Sequence, residues 1–466
     1  MLEDFFSKVL LFSLHCDIMN ISQYIIYPPR KQAGNPITLY GDTVMAKEQL
    51  TLSQKIKQKQ LNPPPAFVYR TLGGIWRLLF QKKYGVEVTY EADPRKDKGP
   101  HIIVSNHASR LDYIFTGVPL LPNTYNFVAG HNEFYRSHLA GVFSILNVIP
   151  KKNFTPDIYT IKQVRRILDK GGRIVIFPEG MSSISGANQP VAIGTGKFLK
   201  HFGVPVYYTK IQGGYLSSPK YNLTDRCGKV KVTIGKMFET EDLEKLSPED
   251  IEAKLNKDLY HDDYAWNREH KIPFKNNGKL AEDLGSLLYY CPKCGKEHTM
   301  LGEGMKFYCT ACGNGATLDD TYALTPLDDT CVIPTTQTEW FDLQRSRARI
   351  AVSAPDFELK EEVELGNLPK YKFLKDQKTS EIVGSGTITL NKDGFTYEGT
   401  RNGEAFTFHL STDEVPTYGM CTDVSRFYTF YKGEFMEFFP KHPTVEKWFL
   451  CTEELHRRNG GKWRDF

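Results

Sequence analysis

Asn106-His107-Ala108-Ser109-Arg110-Leu111-Asp112 is the stretch whose reading decides the fold. A short apolar run, residues 101–104, precedes it, and Tyr113-Ile114-Phe115 follows. A strand, a polar turn and then a helix account for that order. On one continuous helix, side chains five residues apart diverge by about 140° around the axis. His107 and Asp112 therefore meet only if the histidine occupies the turn and the aspartate the first helical turn. The carboxylate then holds one imidazole nitrogen while the other faces a reacting group, which is a general base with its orienter. The same residues admit a plainer reading, with Ser109 and Asp112 as a Ser-x-x-Asp helix cap and His107 as a hydrogen-bonded turn residue.

Around this turn, residues 86–234 alternate strand-like and helix-like patterns. Strands are expected at 101–104, 173–177, 204–211 and 229–234. The clearest helix spans 157–169, with Ile158, Ile161, Val164 and Leu168 on one periodic face. Thr155-Pro156-Asp157 starts it and Gly171-Gly172 ends it. Alternation of this kind predicts an α/β layer with a mostly parallel sheet. In such sheets ligands gather at the C-terminal ends of strands, where the opening motif falls. Two more polar turns follow apolar runs: Val148-Ile149-Pro150-Lys151-Lys152-Asn153 and Phe177-Pro178-Glu179-Gly180-Met181-Ser182-Ser183. Alone, each reads as a solvated lysine pair or an ordinary Pro-Glu-Gly turn.

Together with Gly203-Val204-Pro205-Val206, these blocks resemble the glycerolipid acyltransferases, the lysophosphatidate acyltransferase family in particular. The resemblance covers about residues 64–236, under half the chain. It implies that His107 removes a proton from an acceptor hydroxyl, which attacks an acyl thioester, while Asp112 orients and stabilises the imidazole. Acyl-CoA or acyl-carrier protein would be the donor, and a lysophospholipid or glycerol-phosphate-like membrane lipid the acceptor. Glu179 and Gly180 match the family's second site block, associated with binding that acceptor. Lys151 and Lys152 fall where the family places a basic residue near its phosphate. The family commonly reads Glu-Gly-Thr-Arg-Ser where this chain has Glu179-Gly180-Met181-Ser182-Ser183, so a bidentate phosphate ligand is missing. Lysines serve phosphate only as point charges, with less geometric selection. The alternative is a lipid-binding or scaffold protein on a degenerate core. Met181-Ser182-Ser183 favours it, and intact His107, Asp112 and Glu179 oppose it.

At 466 residues the chain exceeds one ordinary core. Its 40% hydrophobic and 24% charged residues are globular values, which exclude wholesale disorder and a multi-span membrane protein. The net charge of +4 is unevenly placed: residues 49–86 carry no acid but seven lysines and arginines. Such a field suits a polyanionic partner, either a nucleic acid or an anionic membrane surface. After Pro63-Pro64-Pro65, residues 66–83 form an amphipathic helix, with Val68, Leu72, Ile75, Trp76 and Leu79 opposite Arg70 and Arg77. It is too short and too charged to span a bilayer, and suits the interface instead. The order of charges at the N-terminus does not fit a secretory signal.

Cys291-Pro292-Lys293-Cys294-Gly295 and Cys309-Thr310-Ala311-Cys312-Gly313 are matched knuckles. Four thiolates at that spacing suit a tetrahedral structural zinc and resemble a zinc ribbon. The other five of the nine cysteines are scattered, which fits a reducing compartment, hence the cytoplasmic face of a membrane. Few basic residues lie between the knuckles, so the ribbon is read as a folding clip or protein contact, not a nucleic-acid reader. Beyond residue 335 a helix with Trp340 and Phe341 precedes strand-like runs at 387–390, 395–397, 405–410, 427–431 and 435–439. Glycine turns separate several of them, and a final amphipathic helix carries Val445, Trp448 and Leu455. This resembles a pleckstrin-homology-like barrel in architecture only. The expected organisation is an extension (1–62), an acyltransferase domain (63–275) containing the amphipathic helix, a zinc ribbon (286–320) and a β-rich domain (335–466). A linker is expected at 274–278, and one charged helix at 247–268.

Overall fold

The computed structural model describes residues 49–461 except Gln377. Most of the expected N-terminal extension, residues 1–48, lies outside the described residues. The central sheet has seven strands: β1 (Glu87–Tyr90), β2 (Ile102–Ser105), β3 (Asn126–Gly130), β4 (Ile149–Lys151), β5 (Ile174–Ile176), β6 (Val206–Gln212) and β7 (Lys231–Phe238). Their order is β1-β7-β6-β2-β5-β3-β4, and only the β6–β7 pair is antiparallel. The sheet is therefore mostly parallel. β2 is buried along its whole length, with Ile102 and Val104 facing one apolar layer and Ile103 the other. Cover on both faces is what a parallel sheet requires.

Helix positions agree with the sequence better than helix faces do. The helix Ile158–Asp169 starts at Asp157, whose carboxylate accepts from the Tyr159 and Thr160 N–H groups at 3.1 and 3.3 Å. Its buried line is Thr160, Gln163, Val164, Ile167 and Leu168, while Ile158 and Ile161 are exposed. Polar contacts turn it this way. Thr160 donates to the Pro150 carbonyl at 2.8 Å, and the Gln163 side chain accepts the Leu61 N–H at 3.0 Å. The helix Ala66–Tyr84 is rotated likewise. It buries Tyr69, Phe80 and Tyr84, and Trp76 leans on Tyr113 with ring centroids 5.1 Å apart. Phe67 and Leu78 are left 76% and 77% exposed.

The charged helix expected at 247–268 forms as two, Pro248–Leu259 and Asp263–His270. Asp262 caps the second through the Tyr264 and Ala265 N–H groups, and so breaks the run. The expected linker is anchored. Phe274 is fully buried, its N–H bonds the Asp320 carbonyl at 2.6 Å, and Lys275 exchanges backbone bonds with Cys227.

Next comes a four-stranded antiparallel sheet in the order β11-β10-β9-β8: β8 (Met300–Glu303), β9 (Lys306–Cys309), β10 (Gly315–Leu318) and β11 (Leu324–Pro326). The C-terminal sheet joins two antiparallel meanders. The first is β12 (Glu358–Asn367), β13 (Glu381–Asn391), β14 (Gly394–Arg401) and β15 (Glu404–Ser411). The second is β16 (Gly419–Met420), β17 (Phe427–Tyr431) and β18 (Glu434–Pro440). β12 and β18 pair to join them. Phe395, Phe427 and Phe438 form its core, and Trp448 of the helix Val445–Arg458 stacks on Phe427 at 6.1 Å. The helix Gln337–Ala351 ties these parts together. Trp340 donates to the Tyr290 carbonyl, Thr338 to Asp262, and Arg345 pairs with Glu453 at 2.8 Å. One hydrophobic core consequently runs from Phe80 of the helix Ala66–Tyr84 to Leu455.

Candidate active site

Three neighbouring strand ends build the site. β2 lies between β5 and β6, both parallel to it, so the segments leaving their C-terminal ends converge. Asn106 ties the first to the third. Its Nδ2 donates to the Ile211 carbonyl at 2.8 Å, and its Oδ1 accepts the Ile211 N–H at 2.7 Å. A side-chain amide thus prolongs the β2–β6 ladder by one rung. After β6, Gly214 passes close to the motif: a Cβ there would lie 3.1 Å from the Ala108 Cβ and 3.6 Å from Asp112 Oδ1. The glycine lets the backbone approach the carboxylate.

His107 sits on the turn, and Asp112 opens the helix Asp112–Gly117. The imidazole Nδ1 lies 2.8 Å from Asp112 Oδ2, with the histidine side chain 22% exposed and the aspartate fully buried. Asp112 also accepts the Ser109 N–H and the Ser109 hydroxyl, both at 2.9 Å. Burial pushes its carboxyl above the usual range, opposed only in part by His107 and the Ser109 donors. Every neighbour bonded to it can donate, which suits the carboxylate form. Nδ1 therefore carries the proton, and Nε2 keeps a lone pair. Phe177 stacks on the imidazole at 4.6 Å and fixes its plane. The expected Ser-x-x-Asp helix cap does not form: Leu111 is the N-cap, without a side-chain capping bond, and Ser109 gives its N–H and hydroxyl to the Asp112 carboxylate.

Glu179 is almost completely buried and points inward. Its carboxyl accepts the His107 N–H at 2.7 Å, the Asn188 Nδ2 at 2.5 Å and the Gln189 N–H at 2.9 Å. Burial, with a smaller contribution from Asp112, pushes it up to about 8 against the pull of those three donors. Ser183 N–H donates to the His107 carbonyl at 2.6 Å, so the Glu179 turn grips His107 at both backbone groups. Gly180 holds a left-handed φ of 78°, and its carbonyl accepts from Asn153 at 3.0 Å. Lys151 donates to the Lys152 and Thr155 carbonyls at 3.2 and 3.5 Å, and burial lowers its pKa. Lys152 reaches the C-terminal sheet, where it donates to the Gly433 carbonyl. The structure thus joins His107, Asp112 and Glu179 directly, and turns both lysines to backbone carbonyls.

Ser109, Phe177, Asn188 and Gln189 complete the site and were not expected from sequence. The Ser-x-x-Asp spacing was the available signal for Ser109. Phe177 heads the Phe-Pro-Glu-Gly block, and nothing local marks Asn188 and Gln189, because their partner lies in another part of the turn. Arg110 is structural. It pairs with Asp225, which also takes Lys83 at 3.1 Å and the Tyr84 hydroxyl at 2.9 Å, and so ties the helix Ala66–Tyr84 to the motif.

The Sγ atoms of Cys291, Cys294, Cys309 and Cys312 lie within 4.8 Å of one another, with Cys291–Cys312 at 3.7 Å and Cys294–Cys309 at 3.8 Å. Tetrahedral zinc with bonds of about 2.3 Å needs sulfurs about 3.8 Å apart, so the donor set fits that ion. Gly295 and Gly313 close the knuckles at φ of 73° and 75°, each donating to the carbonyl of the first cysteine at 2.9 Å.

A partly exposed imidazole held by a buried carboxylate, at the C-terminal edge of a mostly parallel sheet, is an arrangement with the chemistry for proton transfer. Residues 85–209 match the Acyltransferase family, and this part of the chain is an acyltransferase domain. Among solved structures, the chain is similar to the 1-acyl-sn-glycerophosphate (LPA) acyltransferase PlsC from Thermotoga maritima. The match has 21% identity over 41% of this chain and 78% of that one, with a TM-score of 0.35.

Proposed function

We propose that the chain moves a fatty acyl group from a thioester donor, acyl-CoA or acyl-carrier protein, to the hydroxyl of a lysophospholipid or glycerol-phosphate-like acceptor. The observation that carries this reading is the 2.8 Å contact between His107 Nδ1 and the buried Asp112 carboxylate within the acyltransferase domain. Nε2 takes the acceptor's hydroxyl proton as its oxygen attacks the thioester carbonyl. The tetrahedral adduct collapses, the carbon–sulfur bond breaks, and the imidazolium returns its proton to the departing thiolate. Asp112 stabilises the imidazolium between these steps, and Glu179 holds the His107 backbone in register. Glu179 and Gly180 shape the acceptor side through this turn rather than by offering the carboxylate to the ligand.

In this reading the helix Ala66–Tyr84 rests on the membrane surface with exposed Phe67 and Leu78 inserted and Arg70, Arg77 and Lys82 near lipid phosphates. Among the described residues no helix is long and apolar enough to cross a membrane. Zinc on the four cysteines would be structural, since four protein ligands leave no open position. The two meanders and terminal helix of the C-terminal sheet support the pleckstrin-homology-like reading.

Purified protein given lysophosphatidate and labelled acyl-CoA or acyl-carrier protein tests the activity. His107→Ala is expected to lower turnover by about 10²- to 10⁴-fold. Equal turnover in both proteins across an acceptor panel would end the proposal in favour of a non-catalytic lipid-binding role. Elemental analysis tests the metal. About one zinc per chain is expected, with a lower unfolding temperature in chelator and loss of the metal when Cys291 and Cys309 become serine. Metal-free protein that unfolds at the same temperature would refute it.

A further inference from the structure

Lys220 is a buried cation beside the catalytic turns, and no sequence block marks it. It is only 7% exposed. Among the described residues its Nζ meets the Ser182 hydroxyl at 3.4 Å and has no carboxylate within ion-pair reach. An ammonium group has three donors, and a single long contact to a neutral hydroxyl leaves most of that capacity unused. Burying a charge without a partner costs several kcal/mol in general, so such a group persists where something else supplies the counter-charge.

The surroundings indicate where that counter-charge belongs. Ser182 lies one residue before Ser183, whose N–H holds the His107 carbonyl, and three after Glu179, which holds the His107 N–H. The other side is closed by the C-terminal sheet. The Met420 N–H donates to Met181 Sδ at 3.2 Å, and the Asp423 N–H donates to the Lys220 carbonyl at 2.8 Å. The charged or titratable groups that act on Lys220 are Glu133 from the segment after β3, Cys421 and Asp423 from the loop after β16, and Glu446 from the last helix. The lysines nearer in sequence to an expected phosphate site, Lys151 and Lys152, spend their ammonium groups on backbone carbonyls.

We infer that Lys220, seated against Ser182 beneath the C-terminal sheet, binds the phosphomonoester of the acceptor and sets a preference for phosphorylated over neutral acceptors; this rests on the acyl-transfer reading above. The C-terminal sheet then has a part in acceptor choice, since its Met420–Asp423 segment packs against both Met181 and Lys220. Burial also pushes the Lys220 ammonium down to about 8. It is charged below that pH and neutral above, so a phosphate that depends on it is bound less well as pH rises past 8.

The test compares lysophosphatidate with monoacylglycerol as acceptors, reading the ratio of their kcat/KM values so that the His107 contribution cancels. For wild type the ratio is expected to favour lysophosphatidate and to fall above about pH 8. Lys220→Met is expected to reduce the ratio by about tenfold to a hundredfold, the range of one lost charge-assisted hydrogen bond. Lys220→Arg keeps the charge at all accessible pH values, and is expected to retain the preference while abolishing its alkaline fall. This second variant serves if the methionine protein does not fold. An unchanged ratio in Lys220→Met, or a wild-type ratio that is flat across pH 8, would overturn the assignment of Lys220 alone. No transfer to either acceptor by wild type would instead overturn the acyl-transfer reading and this inference with it.

Discussion

His107 with Asp112 and His261 with Asp263 are the same chemical pair in two settings. The first joins Nδ1 to carboxylate at 2.8 Å, and the second joins Nε2 to carboxylate at 2.6 Å. The distances barely differ, but the surroundings do. His261 is 8% exposed and edges onto Trp266, and Asp263 spends its oxygens on the N–H groups of Gly213 and Tyr215 at 2.6 and 2.7 Å. That pair is a clamp on the segment after β6. His107 is 22% exposed, and its carboxylate is committed to the turn that carries it. A histidine–aspartate contact therefore says little by itself. The greater exposure of His107 and its position at a strand end separate a candidate reacting pair from a bracing one. The two are also linked, because the clamped segment contains Gly214, which passes beside Asp112.

Exchanging each carboxylate for its amide isolates what each pair does. Asp112→Asn has the larger effect on turnover. It removes the acceptor that fixes the Nδ1–H tautomer, and kcat is expected to fall about 10³- to 10⁴-fold. Stability should hold or rise slightly, because burial already pushes this carboxyl up and an amide carries no charge to desolvate. Turnover assays beside thermal unfolding would check both halves. Asp263→Asn has the opposite signature. Weakening its charge-assisted bonds to Gly213 and Tyr215 is expected to cost about 1.5–3 kcal/mol, read as a lower denaturant midpoint, with a smaller loss of turnover than Asp112→Asn. If Asp263→Asn lost activity as deeply while remaining stable, the division of roles would fail.

The His107–Asp112 turn was readable because its constraint is local: a five-residue spacing can bring two side chains together only across a turn and a helix start. The alternation around it likewise placed β2, β5, β6 and β7 within a few residues. What sequence did not reveal depends on contacts between distant segments. Ile158 and Ile161 fit a helical stripe, yet Thr160 and Gln163 face inward because Pro150 and Leu61 offer them partners. β12 was not among the expected strands, since its glutamates and lysine hide the apolar set Leu359, Val363 and Leu365. Phe274 resembled part of a polar linker, and its burial against other segments is invisible locally. Glu179 was legible as a site residue, but its hold on the His107 N–H spans 72 positions. Lys220 lies in a stretch without periodicity, and only the fold brings it to Ser182.

The most direct measurement is turnover and unfolding temperature of His107→Ala beside wild type, with lysophosphatidate as acceptor and labelled acyl-CoA and acyl-carrier protein as donors. Turnover of the variant is expected to be about 10²- to 10⁴-fold lower at an essentially unchanged unfolding temperature. Wild-type turnover in the folded variant, or an activity loss that merely tracks unfolding, would contradict it.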